Sequence, residues 1–353
     1  MTTTSPTDAR AVPTAWRKMV EHYQRPSTRR AVWQLVNTMV PLAAAFALMI
    51  WALRIHYGLV LLIAIPTSGL LVRAFIFMHD CGHGSFFKSR RWNDLVGFVT
   101  GVMTLTPYVH WRREHAIHHA ASGNLDRRGY GDVTTWTVQE YLSRGWWGRL
   151  AYRIYRNPLI LLVFGPAFLM VKHRFARKDG NFGPKERRNV LATNLTLLGL
   201  AIVAGIFGVL DEAALIYFPS ILLAGTLGVW LFYVQHQFED TYWKPAGEWR
   251  YEVAALHGST YLRLPKVLQW FTGNIGLHHV HHLSPRIPNY RLQACHDEHP
   301  AFQRVPTIGI RDGIRSLWLK LWDEDSERLV GFGYLRQLHR AKPPTPSLGG
   351  VAG

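Results

Sequence analysis

The sequence predicts an all-α integral membrane protein: four transmembrane helices in two hairpins and a cytosolic helical cap carrying a histidine-rich dimetal site. Three observations support this fold class: four apolar runs, an uneven distribution of basic residues, and histidines concentrated in three short windows. The chain has 353 residues, of which 48% are hydrophobic and 18% charged, with a net charge of +17. Its 14 Trp, 14 Tyr and 17 Phe exclude a disordered or nucleic-acid-binding chain, although such chains are often as basic.

Each apolar run has about 22 residues, which at about 1.5 Å per residue gives about 33 Å and matches the hydrocarbon core of a bilayer. The runs are 31–53, 57–78, 189–210 and 213–234. Three residues separate the first two runs, and Asp211 and Glu212 separate the last two. Connections this short predict two helical hairpins.

The distribution of Lys and Arg predicts the orientation. Six lie in 1–30, eighteen in 79–188 and fourteen in 235–353, so 38 of the 40 fall on the same side of the four spans. By the positive-inside rule, both termini and the long central loop are cytosolic, as expected for a protein of the cell (inner) membrane. The predicted organisation is a cytosolic N-terminal segment (1–30), a membrane domain (31–300), an amphipathic cytosolic region (301–342) and a disordered tail (343–353).

Two shorter apolar stretches, 95–109 and 159–171, suit interfacial or re-entrant helices better than spans because they have only 13 to 15 residues. The basic and aromatic run 144–156 predicts a helix on the membrane surface, with a solvated basic face as the alternative. The stretch 314–322 is a similar amphipathic candidate. If both shorter stretches crossed the membrane, the histidines at 115–119 would lie on the opposite face from the others.

Nine of the 18 histidines lie in the windows 79–83, 115–119 and 278–282, where a random scatter would place about 0.8. A tenth, His236, directly follows the fourth span. Histidines at i, i+3 and i+4 project from one helix face, so each window can aim two or three imidazoles at one point. Imidazole suits iron, copper, nickel and zinc, and eight to ten candidates exceed the four ligands of one tetrahedral zinc. The pattern therefore predicts two metal ions.

Several polar residues adjoin these histidines. Asp80, Glu114 and Glu239 are candidates to accept the distal N–H of a ligating imidazole, with simple solvated acids as the alternative. Asn274 lies one helical turn before His278 and is a candidate to order a metal-bound water. Outside the proposed ligands, the expected core or interface histidines are His110, His257 and His279, and the expected surface histidines are His296 and His299.

In context, the windows resemble a known family. They read His-Asp-Cys-Gly-His-Gly-Ser-Phe at 79–86, Trp-Arg-Arg-Glu-His-Ala-Ile-His-His at 111–119 and Gly-Leu-His-His-Val-His-His at 276–282. This set resembles the three histidine boxes of membrane-bound fatty acid desaturases, in particular the bacterial acyl-lipid desaturases. The runs 230–243 and 264–276 are also similar to that group, so the resemblance covers roughly residues 60 to 300.

The resemblance implies two iron ions in a non-haem di-iron site. Carried over by position, the ligands are His79, His83, His115, His118, His119, His236, His278, His281 and His282. It further implies that dioxygen and two electrons form a cis double bond in a long-chain acyl group linked to a lipid or a thioester. The sequence has no fused cytochrome domain of the kind some relatives carry, which implies a separate, ferredoxin-like electron donor. The basic cytosolic face would attract an acidic donor.

Two other functions are compatible with the histidines. A hydroxylase or ketolase would use the same iron–imidazole centre on a lipid, an alkane or a carotenoid, and its product would contain oxygen. A metal carrier or transporter would bury polar residues in mid-membrane. The four spans hold few such residues, which disfavours transport: Gln34, Asn37, Arg73 and Asn194.

Overall fold

The computed structural model describes residues 12–129, 133–177 and 180–341 and is mainly helical. The helices are α1 (Trp16–Glu21), α2 (Thr28–Leu53), α3 (Tyr57–Gly82), α4 (Arg90–Met103), α5 (Tyr108–Ala121), α6 (Val138–Ser143), α7 (Trp146–Tyr155), α8 (Gly165–Lys172), α9 (Pro184–Ile206), α10 (Leu210–His236), α11 (Tyr251–His257), α12 (Lys266–Phe271), α13 (His278–Leu283), α14 (Asn289–Glu298), α15 (Pro300–Gln303), α16 (Ile310–Arg315) and α17 (Tyr334–Ala341). The strands are β1 (Trp136–Thr137), β2 (Tyr261–Leu262), β3 (Thr307–Ile308), β4 (Leu321–Asp323) and β5 (Arg328–Val330). The predicted tail 343–353 lies outside the described residues, as do residues 1–11 of the N-terminal segment.

Four described helices, α2, α3, α9 and α10, are long and apolar enough to cross a membrane, which confirms the predicted four-span architecture. Helix α3 is the central one: 56% of its most apolar stretch is buried, against 11% for α9. It packs against both α2 and α10. It also continues four residues beyond the predicted end of the span, so His79 still belongs to the helix and His83 follows its last residue.

The turn between the third and fourth spans lies earlier than predicted. Helix α9 ends at Ile206, and α10 begins at Leu210. Gly208 adopts a φ of 67°, which a residue without Cβ tolerates. Asp211 and Glu212 were predicted to form the turn, but they occupy the first turn of α10. Acidic side chains stabilise the N-terminus of a helix because they face the positive end of its dipole.

Neither short apolar stretch forms a straight span. Helix α4 has 14 residues, about 21 Å, and is too short to cross a bilayer. A turn follows, in which the Thr106 N–H donates to the Gly101 carbonyl at 2.7 Å, and the chain continues as α5. The second stretch forms a π-helix at Ile160–Phe164 and then α8. The π-helix and α8 together form an angle of 61° with α7, as in a broken span or a re-entrant segment. The protein has five spans only if α7 and this second part are counted together as one span.

Close packing of α4 against α5 gives a stability prediction. A Cβ added to Gly97 would lie 2.4 Å from the Tyr108 ring, whose hydroxyl donates to the Cys81 carbonyl at 2.9 Å. Gly97→Ala should therefore displace the start of α5 and cost about 1–3 kcal/mol, measured as a lower thermal-unfolding temperature in detergent. The matched control is Gly199→Ala in α9, where a Cβ meets open space and no loss is expected. Equal unfolding temperatures for the two variants would contradict the prediction.

The prediction of an amphipathic helix at 314–322 is wrong over the second half of that stretch. Helix α16 ends at Arg315, a 3₁₀ turn spans Ser316–Trp318, and β4 follows. Strand β4 pairs with β1 in parallel and with β5 in antiparallel fashion, and Trp322 is buried. Its apolar residues therefore pack inside the cap, between one strand about 185 residues upstream and another a few residues downstream. Local hydrophobic periodicity does not reveal such distant strand partners.

Candidate metal centre

The predicted histidines converge at one end of the helical bundle. His79 and His83 lie at the end of α3, and His236 is the last residue of α10. Helices α5 and α13 carry the other two windows. The two spans and two cap helices therefore meet at one site, as required if all four segments serve the same metals.

Nine histidines form two groups, in each of which the candidate ligand nitrogens lie within 4.8 Å of one another. We call them cluster A and cluster B. Cluster A consists of His79, His83, His115, His119 and His281. Cluster B consists of His118, His236, His278 and His282. These are the nine residues predicted as ligands, divided five and four, and the His119 and His282 rings stack between the clusters with centroids 4.1 Å apart.

Helices α5 and α13 each contribute to both clusters. In α5, His115 and His119 enter cluster A while His118 enters cluster B. In α13, His281 enters cluster A, and the histidines three residues before it and one after it enter cluster B. Helical spacing allows the division, since side chains four residues apart share a face and their neighbours are rotated by about 100°. The packing of α5 against α13 then determines which histidine meets which cluster.

The imidazole nitrogens point at common centres. In cluster A, Nε2 of His119 lies 3.0 Å from Nε2 of His115 and 3.1 Å from Nε2 of His281. In cluster B, Nε2 of His236 lies 3.2 Å from Nε2 of His118 and 3.0 Å from Nε2 of His278. So many nitrogens aimed inward are typical of a metal site.

The site favours neutral imidazoles, which is the form that binds metals. Burial, followed by the neighbouring imidazoles, lowers the pKa of six clustered histidines well below its usual range: His83, His115, His119, His278, His281 and His282. Within the described part of the chain, Nε2 of His83 and Nε2 of His282 are buried without a hydrogen-bond partner. Buried polar atoms are rarely left so, and a bound cation would satisfy both. The donor set therefore fits iron or another imidazole-binding metal.

Asp80 orients His79. Its Oδ1 lies 3.0 Å from Nδ1 of His79, and its Oδ2 accepts bonds from the backbone and side-chain amides of Asn289 at 2.7 and 2.9 Å. Gln34 of the first span donates to Asn289 in turn, at 2.9 Å. The carboxylate thus holds the Nδ1–H tautomer and leaves Nε2 of His79 for a metal.

Asn289 and the Gly258 carbonyl are site residues that sequence reasoning missed. The carbonyl lies 3.1 Å from Nδ1 of His236, which leaves Nε2 of that histidine for cluster B. A backbone acceptor has no sequence signal. Asn289 lies just after Pro288 at the start of α14, 209 residues from Asp80, so only the folded chain brings them together.

The other three polar candidates lie elsewhere. Glu114 pairs with Lys172 at 3.4 Å and Arg177 at 3.0 Å. Glu239 is exposed and lies 3.4 Å from Arg328. Asn274 belongs to a turn with φ 59° and not to the helix of His278, and its amide donates to the Asn289 carbonyl. Adjacency in sequence suggested a place near the ligands for the two glutamates, and one-turn spacing suggested it for Asn274. The side chains of all three contact other partners.

Histidines outside the clusters have partners of their own. Nε2 of His279 lies 3.1 Å from Nδ1 of His296, so His279 turns away from both clusters. His296 is buried and not on the surface as predicted, because the His279 and Tyr261 rings cover it. His110 stacks on Phe182 with centroids 4.6 Å apart. His257 is buried, as expected.

Comparison with known proteins agrees with this geometry. The model of the fatty acid desaturase family matches residues 55–307, which include all nine clustered histidines. A protein of Bacillus subtilis (strain 168) named fatty acid desaturase is 43% identical over 328 residues, 93% of this chain and 93% of its own length.

Two cyanobacterial relatives are more distant. The sn-1 oleoyl-lipid 12-desaturase of Synechocystis sp. is 30% identical over 249 residues, 65% of each chain. The sn-1 acyl-lipid omega-3 desaturase (ferredoxin) of Nostoc sp. is 28% identical over 265 residues, 70% of this chain and 68% of its own. The similarity thus extends well beyond the histidine windows.

Proposed function

Because the chain belongs to the fatty acid desaturase family, a family of oxidoreductases, we propose that it introduces a cis double bond into a lipid-linked or thioester-linked acyl chain, using dioxygen and two electrons at a non-haem di-iron site. The observation that carries this proposal is the pair of interleaved clusters, in which nine imidazoles, eight of them on buried residues, surround two centres. The proposed iron ligands are the members of cluster A and cluster B.

Two bound irons would supply the reactivity toward dioxygen that breaking an unactivated methylene C–H bond requires and that side chains lack. The chain's own residues hold and orient the ligands and keep water away. Asp80 fixes His79, and the Gly258 carbonyl fixes His236. Burial of both clusters excludes water, which protects the reacting carbons from side reactions.

The place of the clusters at the ends of α3 and α10 supports a membrane lipid as the source of the acyl chain. A long chain is itself apolar and can extend from the bilayer along the spans toward the site. The name of the Synechocystis relative, an sn-1 oleoyl-lipid desaturase, supports the same substrate class. The name of the Nostoc relative supports a ferredoxin-type electron donor.

We further propose that the clusters face the cytosol from the cell (inner) membrane. The excess of Lys and Arg on the side of the clusters supports this orientation. The desaturase domain is then 31–300, flanked by the cytosolic segments 1–30 and 301–342.

The test is expression of the wild type and of His118→Ala in a host that lacks unsaturated lipids, followed by fatty-acid analysis. New cis double bonds are expected from the wild type alone, since His118 is a proposed ligand of cluster B. Membrane levels of both proteins provide the control. Equal products from the two proteins, or hydroxylated products from the wild type, would contradict the proposal.

A further inference from the structure

A cleft of about 420 Å³ opens on the face of α5 that points away from the clusters. Its floor contains Ala116, Ile117 and Ala120, while the three histidines of α5 point to the other side. The spacing requires this division, because residues 116, 117 and 120 lie on average about half a turn from residues 115, 118 and 119. One helix therefore separates the cleft from both clusters.

The cleft is basic at its rim. Arg113 and Arg127 are exposed there, and Arg113 donates to the Asn181 carbonyl at 3.1 Å. Arg127 has no carboxylate partner within the described ranges of the chain. Arg128 is neutralised by a two-bond pair with Glu140. The carboxylate of Asp126 accepts from the Ala246 N–H and keeps its negative charge, so the described lining has a net positive charge. Two exposed arginines thus face solvent around a floor of small apolar side chains.

We propose that this cleft is the docking site for a small acidic electron-carrier protein, whose electrons reach both clusters through α5. The inference rests on the proposed desaturase function. Charge complementarity identifies the partner, since basic rims accelerate association with acidic proteins. Distance identifies the place: the backbone and side chains of one helix are about 10–12 Å thick, so a carrier seated here approaches both centres through α5 alone.

The reaction requires such a partner. Forming one double bond removes two protons and two electrons from the acyl chain, whereas reducing dioxygen to two waters takes four electrons and four protons. The carrier supplies the other two electrons, and two protons come from solvent. A one-electron carrier must therefore dock twice per double bond, and fast, charge-steered association favours that.

The experiment uses the full chain in lipid nanodiscs with an acidic [2Fe–2S] ferredoxin as the probe. The test variant is Arg113→Glu/Arg127→Glu. The matched control is Arg304→Glu/Arg311→Glu, which carries the same charge change on exposed residues of other segments. Two quantities are measured at low salt: the dissociation constant for ferredoxin, and olefin formation driven either by reduced ferredoxin or by photoreduced deazaflavin, a small reductant that needs no docking.

For the test variant we expect ferredoxin binding and ferredoxin-driven turnover to fall about tenfold or more, with deazaflavin-driven turnover unchanged. The control should behave as wild type. Wild-type binding by the test variant, or an equal loss in the control, would overturn the docking site. A parallel loss with deazaflavin would assign the cleft to the substrate and also overturn it. A wild type that binds ferredoxin through this cleft but makes no olefin with either reductant would refute the desaturase function alone.

Discussion

Replacing His281 with alanine is expected to lower olefin formation more than about 100-fold and to lower the iron content of the purified protein. His281 belongs to cluster A, and its Nε2 lies 3.1 Å from Nε2 of His119. Loss of a direct ligand should exceed the 10–100-fold loss typical of residues that only orient ligands. Iron is measured by plasma mass spectrometry on protein in detergent, alongside fatty-acid analysis.

His279→Asn is the matched control, two residues earlier in the same helix. His279 pairs with His296 and enters neither cluster. We expect its iron content to match that of the wild type, with a modest stability loss of about 1–3 kcal/mol because His296 loses a buried partner. If the two variants lost iron equally, the assignment of ligands from the clusters would be wrong.

Asp80→Asn should weaken iron binding by about 10–100-fold while leaving the protein folded. The amide keeps the shape of the side chain but lacks the charge that supports the Nδ1–H of His79. It also places an NH₂ group close to the Asn289 amide groups, which donate hydrogen bonds to Oδ2 of Asp80 in the wild type. Iron affinity is measured by competition with a chelator.

Glu239→Gln is the comparison for Asp80→Asn, because Glu239 also lies close in sequence to a cluster histidine but is exposed and beside Arg328. We expect no change in its iron affinity. An Asp80 variant that holds iron as tightly as the Glu239 variant would show that the carboxylate has no part in orienting His79.

Much of the site was predictable because it depends on local spacing. The windows at 79–83, 115–119 and 278–282 each place histidines at helical spacing, and hydropathy places the first window and His236 at the ends of spans. How the nine divide between two clusters was not predictable, since it depends on how α5 and α13 face each other. Asp80 was predicted from its neighbour His79, and the structure does orient it there.

The same adjacency argument failed for Glu114 and Glu239. A residue beside a ligand in a helix points about 100° away from it, so adjacency alone does not decide whether its side chain reaches the ligand's imidazole. Asn289 had the opposite problem: its contact with Asp80 joins residues 209 positions apart. The buried strand β4 was missed for a similar reason, because its partners β1 and β5 come from separate segments.

The interleaving of the clusters has a consequence for assembly of the enzyme. Since α5 and α13 each serve both clusters, whichever ion enters first would immobilise two helices that also present ligands of the second. The conformational freedom of those helices is then lost once and not twice, so the second ion would bind more readily than the first. A newly made chain would accordingly pass from metal-free to fully loaded with little of the half-loaded form present.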